Sequence, residues 1–183
     1  MENSSDPVMG YRATLRFPGL QPFLWTQFLG AFNDNFLKII VSLVAMDAIG
    51  PINGPAVVAG ALVFPFLLFS GYAGSLADRL SKRRVLVTVK VFEIVVMLFS
   101  TAGIVTNRID LLLVSIFLMG THSTFFSPAK YGIVPELLPD AELSRANGLL
   151  EMSTFGAIVL GTAFGGELFE RWHDRPYVVA GTL

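Results

Sequence analysis

No cysteine occurs anywhere in this chain. That excludes disulfides, thiolate nucleophiles and cysteine-based metal sites. Histidine is nearly as scarce, with only His122 and His173. Five positions after each, where a glycerolipid acyltransferase would carry aspartate, stand Ser127 and Val178. No Gly-x-Ser-x-Gly elbow and no zinc-ligand spacing is present, and Gly74-Ser75 does not extend into a phosphate-binding loop. The sequence therefore offers no catalytic residue, no metal ligand and no cofactor motif.

Charge is the other shortage. Only 15% of residues are charged, against about 25% in soluble domains. The net charge of −1 provides no field to attract nucleic acid, which is not an expected partner. What fills the space is apolar: 53% of residues are hydrophobic and the mean hydropathy is +0.63. These residues lie in long blocks, as in a chain whose partner is the lipid bilayer. The first block is too long for the apolar core of a signal peptide and has no small-residue cleavage site after it, so it reads as a retained helix.

A helix needs about 20 mostly apolar residues to cross a bilayer. Five runs qualify, at residues 20–48, 56–77, 85–106, 111–127 and 146–168. The fourth is expected to end at Pro128. Residues 133–143, broken by Pro135 and Pro139, are expected to lie along the membrane surface, with Asp140 as an N-cap for the next helix. A sixth apolar run, 177–183, is too short to span and stops without a polar terminator. The expected architecture is all-α and transmembrane, a six-helix bundle with the sixth helix incomplete, preceded by a tail at residues 1–18. A fragment of a longer protein is expected.

Orientation follows from the basic residues. With the N-terminus in the cytoplasm, cytoplasmic segments hold Arg12, Arg16, Arg79, Lys82, Arg83, Arg84, Lys130 and Arg145. The opposite side holds only Arg108, Arg171 and Arg175, and this bias sets the topology.

Five ionisable residues sit well inside the apolar runs: Asp34, Lys38, Lys90, Glu93 and Glu151. Each costs about 2.5–3.5 kcal/mol at a helix centre, so each needs a partner, water or a function. Asp34 lies nearest its helix midpoint, flanked by Asn33 and Asn35, and Lys38 is one turn on and able to pair with it. A hydrated mid-membrane pocket is one reading; a neutral Asp34 or a helix-gluing pair is the other. Lys90 and Glu93, three apart, read as a mutual structural pair. Glu151 suits a helix N-terminus, or else partners Lys130 across the gap between the fourth and fifth helices. Gly161 and Gly165 form a small face for close helix approach.

The segment joining the second and third runs resembles the Gly-x-x-x-Asp-Arg-x-Gly-Arg-Arg/Lys signature of the major facilitator superfamily. Gly74, Asp78, Arg79 and Arg83 match, while Ser81 replaces the second glycine and Lys82 the first of the closing basic pair. The resemblance implies the N-terminal half of a facilitator at residues 19–183, with these residues as a cytoplasmic latch against a C-terminal half. Three further stretches resemble bacterial lysophospholipid transporters: Gln27 to Asn35, Phe126 to Ile133 (with Ser127-Pro128-Ala129-Lys130-Tyr131-Gly132 the most specific) and Arg145 to Thr154. Lys38 departs from that family's pattern, which is apolar there.

This second resemblance implies a multi-pass protein of the bacterial inner membrane. It implies that lysophospholipids such as lysophosphatidylethanolamine are flipped to the inner leaflet by alternating access. Asp34 would then be the mid-cavity anchor, Lys130 a phosphate ligand or half of a cytoplasmic ion-pair gate. Other readings fit the same residues: a proton-coupled facilitator for another amphiphile, or the membrane module of an acyltransferase–ligase fusion.

Overall fold

A chain in hydrocarbon has no water to satisfy its amides, so its apolar runs must close their hydrogen bonds internally, as helices. The computed structural model, which describes residues 10–172 and 176–182, is helical in this way. A short α1 (Tyr11–Thr14) is followed by α2 (Leu20–Ile49), α3 (Asn53–Arg79), α4 (Lys82–Val105), α5 (Ile109–Leu137), α6 (Asp140–Trp172) and a short α7 (Pro176–Ala180). No strand occurs among the described residues. Helices α2 to α6 are each long and apolar enough to cross a membrane. The 30 residues of α2 span about 45 Å at 1.5 Å per residue. That exceeds the hydrocarbon thickness of ~30 Å, so the helix tilts or projects.

Large apolar side chains such as Trp25, Leu67, Leu98 and Phe155 face outward. This outer surface belongs in lipid, where apolar exposure carries no hydrophobic cost. Inside, α2 packs mainly on α6, while α3 and α4 each pack on α5 rather than on each other. The α2–α6 contact is made possible by Gly161, where a Cβ would collide with the Phe32 carbonyl oxygen, and by Gly165 against Phe36. This is the small-residue face expected from the sequence.

Two boundaries differ from the sequence-based expectation. Helix α5 does not stop at Pro128 but continues to Leu137 through both Pro128 and Pro135. The segment at 133–143 is therefore not a separate element: its first part continues α5, and α6 begins at Asp140, six residues before the expected 146. The reason is the solvent. Each proline forfeits one bond, to the carbonyls of Thr124 and Tyr131, whereas unwinding the helix would strand several backbone groups. Burial adds to this, since Ile133 and Val134 pack with Leu20, Leu138, Ala146 and Leu150. The N-terminal segment is also more than a tail. Thr14 on α1 is buried and its hydroxyl donates to Glu142 Oε2 of α6 at 2.6 Å, while Arg145 bridges to Glu142 at 2.7 Å. Residues 1–9 of the expected tail, His173, and Leu183 of the expected sixth run lie outside the described residues.

Candidate functional site

The buried core is split along the bundle axis. One apolar cluster gathers Phe36, Ile40, Val96, Ile116 and their neighbours towards one end. The others gather Leu20, Ile133 and Leu150, and Val85, Val89 and Ala129, towards the end that carries the α3–α4 joint. Between these layers, at residues 27–35 of α2, 90–93 of α4 and 122–130 of α5, the chain places its polar side chains.

A cavity of about 200 Å³ opens in this polar layer, lined by Gln27, Gly30, Asp34, Lys90, His122, Ser123, Ser127 and Lys130, with Phe66 and Phe126 among its walls. Asp34 is aimed into it. Its Oδ1 is fully buried and finds no hydrogen-bond partner among the described residues. A buried acceptor left unsatisfied costs about 1–3 kcal/mol, so its retention points to a ligand or a task.

The Asp34–Lys38 pair allowed by the spacing does not form. Lys38 Nζ instead donates to Asn35 Oδ1 at 2.5 Å, and Asn35 Nδ2 donates back to the Ala31 carbonyl at 2.7 Å. One residue is a rotation of about 100° on a helix. Lys38 lies about 40° around the helix from Asp34 and about 60° from Asn35, so both are within its reach and Asn35 takes the ammonium; Asn33 lines a neighbouring apolar cleft beside Lys90 and Glu93. The structure thus divides the expected constellation: Asp34 and Lys130 meet in the cavity, whereas Asn33, Asn35 and Lys38 do not line it.

Lys90 and Glu93 do pair, at 2.5 Å, and a third partner joins them. His122 Nε2 lies 3.1 Å from Glu93 Oε2, so the pair becomes a triad between α4 and α5, with Glu93 and His122 buried and Lys90 partly exposed. The His122 ring stacks on Phe126, and Lys90 Nζ sits 4.9 Å from the Phe126 centroid, within cation–π range. His122 also sits in mid-run, and no spacing in the sequence marks Glu93, on a different helix, as its partner.

At the mouth, Lys130 is buried and Glu151 half-exposed, with Nζ and Oε1 3.6 Å apart. This is the α5–α6 partnership expected as one of two readings. Lys130 also donates to Thr154 Oγ1 at 3.1 Å, Gln27 Nε2 donates to the same oxygen at 3.2 Å, and the Tyr131 hydroxyl donates to Glu151 at 2.6 Å. Gln27, Thr154 and Tyr131 thus belong to the site. All three fall within the stretches that carry the family resemblance, but nothing in a single sequence marks them as meeting.

The knot residues behave differently. Arg79 ends α3 and Arg83 lies in the first turn of α4. Asp78, Arg79 and Arg83 are all exposed, with no ion pair to any of them among the described residues. Gly74 has no neighbour that a Cβ would meet. No group of acidic and histidine side chains among the described residues could hold a metal ion.

Five helices long and apolar enough to cross a membrane, four of which line a polar cavity, describe a multi-pass membrane protein. The chain belongs to the Major Facilitator Superfamily, whose family model matches residues 23–182. More particularly, it is similar to the proteins called lysophospholipid transporter LplT in Salmonella heidelberg (strain SL476), Salmonella newport (strain SL254) and Salmonella enteritidis PT4 (strain P125109). Each is 34% identical over 165 residues, covering 90% of this chain and 40% of the relative. The chain therefore spans about 40% of the length of the curated relatives it matches.

Proposed function

We propose that this chain is the N-terminal half of a lysophospholipid transporter. It would carry lysolipids such as lysophosphatidylethanolamine to the inner leaflet of the bacterial inner membrane by alternating access. The observation that carries this reading is the unpartnered Asp34 Oδ1 in a cavity whose mouth holds Lys130. One carboxylate and one ammonium suit a zwitterionic headgroup, with the ligand's ammonium at Asp34 and its phosphate at Lys130. The similarity to lysophospholipid transporters supports the substrate class. The acyl chain stays in lipid along the outward apolar faces.

The remainder of a protein of the relatives' length would supply the opposing cavity wall. Asp78, Arg79 and Arg83 are exposed and placed to latch against it, at the end assigned to the cytoplasm by the positive-inside rule.

The test is uptake of labelled lysophosphatidylethanolamine by cells that lack their own lysolipid transporter and express the full-length protein. Uptake above background supports the proposal, and uptake at background rejects it. A proton gradient that drives export of another amphiphile, with lysolipid failing to compete, would assign a different substrate. Within the same assay, Lys130→Met should cut uptake by about tenfold, the scale of one charge-assisted hydrogen bond. The thermal midpoint in detergent should fall only modestly, because relief of the buried lysine's desolvation offsets the loss of its contacts to Glu151 and Thr154. Parental uptake by this variant would remove Lys130 from the phosphate role.

A further inference from the structure

Glu93 and Asp34 are treated unequally. Glu93 has two cationic or donor partners, Lys90 at 2.5 Å and His122 at 3.1 Å, while Asp34 Oδ1 has none. If Lys90 served only to neutralise Glu93, its place would be against Glu93 and out of the cavity. Instead its side chain is about a quarter exposed, at 24%, and it lines the cavity alongside Asp34 and Lys130. An ammonium has three N–H donors. Glu93 accepts one, and no other acceptor takes the rest among the described residues.

The seat is shaped for this ammonium. Phe126 provides a π face beneath it. Gly30 of α2 leaves the gap it occupies, since a Cβ at Gly30 would collide with Lys90 Nζ. Its level along α5 is that of His122 and Phe126, which contact the triad. Lys130 lies four to eight residues further on, about 6–12 Å along the axis at 1.5 Å per residue. Ser123 and Ser127, both lining the cavity, occupy the interval.

We infer that Lys90 is a second phosphate-binding station, deeper in the membrane than Lys130, with the two serine hydroxyls marking the path between them. The inference rests on the transport reading above. A phosphate arriving from the outer leaflet meets Lys90 first and moves past Ser123 and Ser127 to Lys130 at the cytoplasmic mouth, and Glu93 stays satisfied by His122 while Lys90 shares its charge. This hands the headgroup inward without leaving its anion unpaired in a medium where an isolated charge is costly.

The experiment uses the full-length protein in the same uptake assay, with thermal midpoints recorded for every variant. Lys90→Met should lower the maximal uptake rate by about tenfold, the scale of one lost charge-assisted hydrogen bond. Apparent affinity should fall as well, because Lys90 meets the phosphate before Lys130 does. The decisive variant is Lys90→Met combined with Glu93→Gln, which removes the carboxylate that Lys90 would otherwise neutralise. Uptake by the double variant should remain low. Gly30→Ala, which keeps the charge but pushes the ammonium off its seat, should lower uptake as well. Recovery of parental uptake in the double variant, or parental uptake in Gly30→Ala, would overturn the assignment and leave Lys90 as a structural partner of Glu93. Background uptake by the unmutated protein would instead reject the transport reading itself.

Discussion

Asp34→Asn is expected to cut lysolipid uptake by about tenfold or more, since a hydrogen bond to a charged group contributes ~1.5–3 kcal/mol. The substitution keeps the shape of the side chain and removes its charge, so a substrate ammonium loses its counter-ion at mid-cavity. Stability should move the other way or not at all. Oδ1 makes no hydrogen bond in the folded chain, so no native interaction of that atom is lost, and the burial cost of a carboxylate disappears. Uptake measured beside the thermal midpoint in detergent separates the two effects. A variant that transports like its parent would sink the anchor role. A variant that loses uptake and melts at much lower temperature would make Asp34 a structural residue.

Gly161→Ala is expected to destabilise the bundle by about 1–3 kcal/mol, the usual cost of forcing a methyl into a packed contact. The added carbon would meet the Phe32 carbonyl oxygen and sit 3.2 Å from both the carbonyl carbon and Cα of that residue. Backbone cannot rotate out of the way, so α2 and α6, the most extensive helix pairing in the chain, would have to separate. Gly166→Ala is the control. A Cβ there meets nothing within 4 Å, and replacing a mid-helix glycine by alanine gains up to ~1 kcal/mol. Detergent melting curves should therefore fall for the first variant and hold or rise for the second. Equal behaviour of the two would show that the α2–α6 contact is looser than described.

These two sites differ in how far the sequence alone could take them. The five spanning helices were legible because lipid demands apolar residues around the whole circumference, a pattern that needs no tertiary information. Asp34 was legible for the same reason in reverse, as a charge in the wrong solvent. Gly161 and Gly165 were legible through their spacing. The Asp34–Lys38 pair was not resolved correctly, because spacing of four residues permits a contact and cannot say that Asn35 competes for the lysine. The course of α5 was not legible, because proline ends helices in water, where freed carbonyls are hydrated, and does not do so here. His122 and Thr154 were beyond reach for a different reason. Their roles arise from helices brought together by packing, His122 with Glu93 from 29 positions earlier and Thr154 with Gln27 from 127 positions earlier.

The proline pair in α5 carries a mechanical consequence. From Ile109 to Gly120 the helix has no proline, and Leu112, Ile116 and Met119 clamp it in the core. Beyond Thr124 it lacks two of its axial bonds, one on each side of Lys130. Bending stiffness is therefore graded along one continuous rod: fully bonded in its first half, and held around the mouth lysine more by the packing of Ala129, Ile133 and Val134 than by its own axial bonds. A load applied at the mouth would flex that end and leave the embedded half in register. Because α3 and α4 both rest on α5, the same graded rod sets the rest position of the basic joint between them.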